Sequence, residues 1–181
     1  MTYRNVVSAV VRALAAETIN SAGGCDFEPK VQCAKQKGEI VGKEAAFLTD
    51  CWTFGRLHKS LSPAHWRALV AKFSTHDERK HAAILELIKV VRSPATQRFR
   101  ECAVLTWAIP QVAGAEGKRS AAVLPAAWYD ITNWDNDGKP ESTRYRWRSG
   151  IRKGLDDQVN EALAAAQEIM DLEGLIESCA A

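Results

Sequence analysis

Six cations fall between residues 139 and 153: Lys139, Arg144, Arg146, Arg148, Arg152 and Lys153. The single acid among them is Glu141, so the segment carries a local net charge of +5. Ser142, Thr143 and Tyr145 are interspersed. Closely spaced on a helix, side chains of this kind suit the binding of polyanions. Arginine pairs bidentately with guanine in the DNA major groove, while lysines and hydroxyls hold phosphates. The eight residues Lys139, Ser142, Thr143, Arg144, Arg146, Arg148, Arg152 and Lys153 are therefore the candidate contacts to double-stranded DNA.

An arginine-rich helix is in the ordinary case a solvated surface. Three features set this one apart. A turn, Asn136-Asp137-Gly138, and a helix expected over residues 126–134 precede it, as in a helix-turn-helix. The composition then reverses: Asp156, Asp157, Glu161, Glu168, Asp171, Glu173 and Glu177 follow with no lysine or arginine. Finally, Trp147, Ile151, Leu155, Val159, Ala162, Ala166 and Ile169 recur at helical spacing and give the cations a buried seam to be displayed around. The whole chain of 181 residues has a net charge of only +2. The case rests on segregation: +4 over residues 1–138, +5 over 139–154 and −7 beyond. Phosphates sense local charge, because screening limits a field to about 10 Å.

Other chemistries find less support. The five cysteines (Cys25, Cys33, Cys51, Cys102, Cys179) are odd in number and dispersed, which suits reduced thiols rather than a disulfide framework or zinc finger. His76 and His81 lie five apart, off the spacing that puts two ligands on one helical face. His58, His65, His76 and His81 are the only side chains that ordinarily titrate near pH 7. No acidic pair, nucleophile motif or glycine loop accompanies them. No enzymatic activity, cofactor or metal is expected.

The elements that must position the basic segment read as helices throughout, so the fold class is all-α, with a long C-terminal helix. A first helix covers residues 3–19, with Val6, Val7, Val10, Val11 and Leu14 on one side; this favours a core helix over a targeting peptide. Residues 25–42 read as a loop or weak helix. A second helix spans about 43–59. Ser62-Pro63 starts a third, with Ser62 as N-cap and Pro63 at the first position. A fourth covers about 77–91, and Ser93-Pro94 starts a fifth that ends at Pro110. Residues 111–120 read as a linker, and the longest helix runs from about 141 to 172 to stop at Gly174. No stretch approaches the roughly 20 apolar residues of a membrane span. Residues 1–60 form an N-terminal helical region, and 61–181 the helix-turn-helix region with a helical insertion at about 75–124. The six tryptophans are expected mainly in cores, with Trp128, Trp134 and Trp147 locking the DNA-binding unit.

The piece GKPESTRYRWR resembles recognition segments of the G-x-S-x-S-T-x-Y-R-W-R kind found in small helix-turn-helix domains. Together with HWRALVAKFS (65–74) and WYDITNW…STRYRWRSGIRKGLDDQV (128–159), it makes the chain similar to phage late-gene antitermination proteins of the Q type. That resemblance implies a unit like sigma factor region 4, which binds DNA near a late promoter and is loaded onto bacterial RNA polymerase in the host cytoplasm. It puts Ser142, Thr143, Arg144, Arg146 and Arg148 at recognition-helix positions, with Arg152 and Lys153 on the flanking backbone. The chain departs from the pattern in a longer turn from Asp135 to Lys139. It also has Lys139 where an apolar turn residue is common, and Arg144 where a buried aliphatic is common. Two other functions fit the same residues: a phage packaging or replication module, and a helical adaptor or inhibitor whose basic helix meets an acidic protein.

Overall fold

Asn5 and Ser8 open the first helix by exchanging hydrogen bonds. The Ser8 amide donates to Asn5 Oδ1 at 2.8 Å and the Asn5 amide donates to Ser8 Oγ at 3.3 Å, which satisfies donors that a helix start leaves unpaired. In a computed structural model that describes residues 3–21, 43–111, 124–135 and 137–176, this helix, α1, covers Val6–Ser21. It is followed by α2 (Lys43–Ser60), α3 (Pro63–Phe73), α4 (Asp77–Val90), α5 (Gln97–Ala108), two short 3-10 turns (Ala126–Trp128 and Ile131–Trp134) and α6 (Glu141–Leu172). The fold is all-α among the described residues. Residues 25–42, the linker beyond Gln111, Asn136, and Cys25, Cys33 and Cys179 lie outside them.

The chain forms two compact units, residues 1–61 with 163–181, and residues 62–162. In the first, α1 packs on α2, and Ala9, Val10, Ala13, Leu14 and Ala16 of α1 are buried. The expected valine face is displaced: Val7 and Val11 are exposed, because small alanines allow the closer approach of two helices. A polar cluster sits inside this unit. Tyr3 donates its hydroxyl to Asp50 Oδ1 at 2.8 Å, lies 3.1 Å from Thr53 Oγ1, and Arg12 pairs with Asp50 at 3.0 Å. Burial, first, pushes the Tyr3 hydroxyl up to about 12. An unfolded tyrosine titrates near 10, so the fold favours the neutral phenol. That contribution is complete below about pH 10 and is lost as the pH rises toward 12. Melting temperature should therefore fall more steeply over this alkaline window in the native protein than in Tyr3→Phe; parallel curves would contradict the assignment. At the far end of α6, Gly174 adopts φ +64°, and its amide and that of Leu175 close onto Asp171 and Met170 carbonyls at 3.1 and 3.0 Å. This is a Schellman stop, which glycine makes without strain.

In the second unit, Ser62 caps α3 by accepting from the His65 amide, with Pro63 at the first position, as the sequence predicts. Three residues then turn the chain into α4. The start of α5 differs from expectation. Ser93 Oγ accepts from the Ala95 amide at 3.3 Å, a local turn, and Thr96 takes the cap by accepting from the Phe99 amide. Pro94 thus precedes the helix. The single helix expected over 126–134 is also absent. Asp130 has extended backbone (ψ 111°) and its carboxylate accepts from the Thr132 amide and hydroxyl. A short acid that bonds its own neighbours breaks a helix, leaving two 3-10 turns.

Candidate nucleic-acid interface

The basic segment is positioned by a connection and a seam. The connection begins with Trp134, buried and donating its indole N–H to the Trp128 carbonyl at 2.7 Å. Asp135 follows, buried, accepting on Oδ1 from the Asp137 amide. Gly138 at φ +64° then redirects the backbone, and the Pro140 carbonyl accepts the amides of Thr143 and Arg144 to begin α6. The seam is Trp147, Ile151, Leu155, Val159 and Ala162. All but half-buried Trp147 are buried. Phe99 of α5 holds the top of this seam, meeting Trp134 edge-on at 5.2 Å and Trp147 edge-on at 5.6 Å. Trp128, expected in the same lock, keeps an exposed ring and contributes its carbonyl; Trp52 is exposed as well. Flat rings whose neighbours lie to one side remain partly wet.

With the seam inward, Ser142, Arg146, Ser149 and Lys153 follow at i, i+4, i+7 and i+11 on the outward side, and all four are exposed. Lys139 and Tyr145 are exposed beside them. Thr143, Arg144, Arg148 and Arg152 are half-buried, each for its own reason. Arg148 lies over the Trp134 ring at 5.6 Å, a cation–π contact that leaves its edge to the surface. Arg152 flanks Arg148 and Asp156. Burial and then the Arg148 charge hold it below the usual arginine value, with Asp156 acting oppositely. An arginine so placed remains charged.

Arg144 is a correction to the candidate set. Its guanidinium turns back onto the connection, with Nε 3.6 Å from Asp135 Oδ2 and Nη2 donating to the Asp135 carbonyl at 3.3 Å. The side chains are 13% and 0% exposed, respectively. Nε and Oδ2 have no other hydrogen-bond partner, so each serves as the other's counter-charge at ion-pair distance. Arg144 fixes the entry to α6.

Asp156 and Lys72 border this surface over the buried Trp107. Asp156 accepts from the Trp107 indole N–H at 2.7 Å and lies 4.0 Å from Lys72 Nζ. Lys72 itself sits over the Trp107 ring at 4.6 Å. Asp156 also closes a surface groove of about 420 Å³ lined by Tyr145, Arg148, Ser149, Arg152 and Lys153. Lys80 of α4 is near enough to feel the Lys72 charge. No periodicity links positions 72 and 156, so only the fold brings these groups together.

Among the described residues, no three His, Cys, Asp or Glu side chains are grouped to hold a metal, and no helix is long and apolar enough to cross a membrane. Comparison with known protein families, characterised proteins and solved structures returns no match.

Proposed function

We propose that this protein is a sequence-specific double-stranded-DNA-binding transcription regulator that presents the first half of α6 to the duplex. The observation that carries the proposal is the outward row Ser142, Arg146, Ser149 and Lys153, with Lys139 and Tyr145 beside it, on a helix anchored by buried residues of the same unit. A rigid helix with exposed arginine and hydroxyls has the chemistry to read base edges and hold phosphates. Because 3-10 turns, not an α-helix, precede α6, docking is attributed to α6 and its connection alone. The resemblance to Q-type antitermination proteins extends the proposal to loading onto bacterial RNA polymerase and read-through of terminators.

The test is selection of bound duplexes from a random pool by the native protein and by Arg146→Ala. An enriched motif is expected, with Arg146→Ala losing about 1–3 kcal/mol of specific binding and relaxing the preference at one position. Template carrying that motif should then show terminator read-through by polymerase. Failure of the native protein to retain any duplex at low salt would overturn DNA binding and leave an acidic protein as the partner of α6.

A further inference from the structure

We propose that Lys72 of α3 and Lys80 of α4 join Arg148 and Arg152 of α6 in a four-cation site for the phosphodiester backbone of nucleic acid, with Asp156 as its built-in counter-ion. The inference rests on the reading of α6 as a duplex-binding helix and adds a second face to it.

Asp156 is the hinge of the arrangement. Trp107 fixes one carboxylate oxygen at 2.7 Å, and Lys72 reaches the same oxygen at 4.0 Å. Arg152 feels the same carboxylate and, against it, the Arg148 charge. Lys80 bonds the Ser74 carbonyl at 3.4 Å. It is held below the usual lysine value first by burial and then by Lys72. Lys72 and Arg152 thus face Asp156, which lines the groove with Arg148, while Lys80 lies between the Lys72 charge and that of Asp77. Like charges brought together disfavour their charged forms, so the cluster gains little for folding beyond the one Asp156 contact. It does raise the local potential that an approaching polyanion meets. Arg152 Nε is buried without a hydrogen-bond partner, and the groove beside it is open along Arg148, Ser149 and Lys153. Arg148 and Arg152, one helical turn apart, are separated by about 6 Å along the axis. That spacing lets the two guanidiniums address neighbouring phosphates of one strand.

A fixed carboxylate inside a phosphate site weakens it, and this makes the proposal directional. In Asp156→Asn the amide oxygen still accepts from Trp107, while Lys72 and Arg152 lose their internal counter-charge. Binding of a labelled duplex is measured against salt for the native protein, Lys72→Gln/Lys80→Gln, Lys72→Arg/Lys80→Arg, Asp156→Asn and Arg146→Ala, with thermal melts as the folding control. One phosphate contact is worth about 8-fold in affinity near 0.1 M salt and about 0.9 in the salt slope. The glutamine pair should therefore bind on the order of 50-fold more weakly with a slope shallower by about two. It should keep its sequence preference. The arginine pair should restore the slope, and Asp156→Asn should bind several-fold more tightly.

A glutamine pair with native affinity and slope, while Arg146→Ala is weakened, would overturn this site and leave the α6 reading standing. Absence of duplex binding in every protein would overturn both. Weaker binding by Asp156→Asn would overturn its counter-ion role. Displacement of the duplex by inorganic phosphate beyond the effect of chloride at equal ionic strength would assign a small-anion site instead of a backbone site.

Discussion

Phe99→Ala is expected to destabilise the unit formed by residues 62–162 by about 3–5 kcal/mol, the cost of truncating a fully buried aromatic. Phe99 has no exposed surface, and its ring is gripped by Trp134 and Trp147 at interplanar angles of 73° and 83°. Each edge-to-face contact adds about 0.5–1.5 kcal/mol beyond burial, so the loss should sit in the upper part of the range. The effect reaches the candidate interface. Trp147 is the first seam residue of α6, and Trp134 supports Arg148. Without Phe99 the basic segment loses the packing that fixes its orientation. Phe99→Leu, which fills most of the space, should cost much less. Urea unfolding followed by tryptophan fluorescence reads both variants. A loss below about 1 kcal/mol in Phe99→Ala would contradict the packing described, since no fully buried aromatic is that dispensable.

Arg144→Ala is expected to cost about 3–5 kcal/mol of stability, because it leaves the buried Asp135 carboxylate without its cation. The pair is loose, at 3.6 Å, so the net value of forming it is modest. Removing one member is what hurts. Adding Asp135→Asn should recover most of the loss, since a neutral amide needs no counter-ion and its oxygen can still accept from the Asp137 amide. Among molecules that remain folded, duplex affinity should stay within about 2-fold of native, as for any residue that makes no phosphate contact. The same urea titration, paired with a binding isotherm, separates the alternatives. Native stability with a large loss of DNA affinity would return Arg144 to the set of direct contacts.

Much of the fold is legible in the sequence where one physical signal dominates. The Ser62-Pro63 start, the long run of seam residues from Trp147 to Ala166 and the Gly174 stop each combine a cap or breaker with a helical period. The signal fails where two local preferences compete. Ser93 and Thr96 both cap well, and the Ser93 hydroxyl is taken up by the Ala95 amide while Thr96 holds the Phe99 amide. Ala126 to Trp134 carries helical residues, but Asp130 bonds Thr132 and splits the run. Polar groups that are buried for a partner leave no apolar pattern: Asp50 and Thr53 sit inside because Tyr3 reaches them from 47 and 50 residues earlier in the chain. The same holds at the candidate interface. The outward row from Ser142 to Lys153 follows from spacing, whereas the withdrawal of Arg144 depends on Asp135. The company of Lys72, Trp107 and Asp156 depends on three helices meeting. Charge counting marks the segment; packing sorts its members.

Charge reversal on the outward face of α6 asks whether that face meets the duplex. Affinity for a selected duplex would be measured for Arg146→Glu/Lys153→Glu and for a control, Lys59→Glu, an exposed position of α2 in the other unit, with helicity and melting temperature monitored. Both reversed positions are exposed, so folding should be kept. Binding in the α6 variant should fall by about 100-fold or more, as two lost contacts become two repulsive ones, while the control changes little. Native affinity in the α6 variant, with the fold intact, would contradict the assignment of this face to nucleic acid.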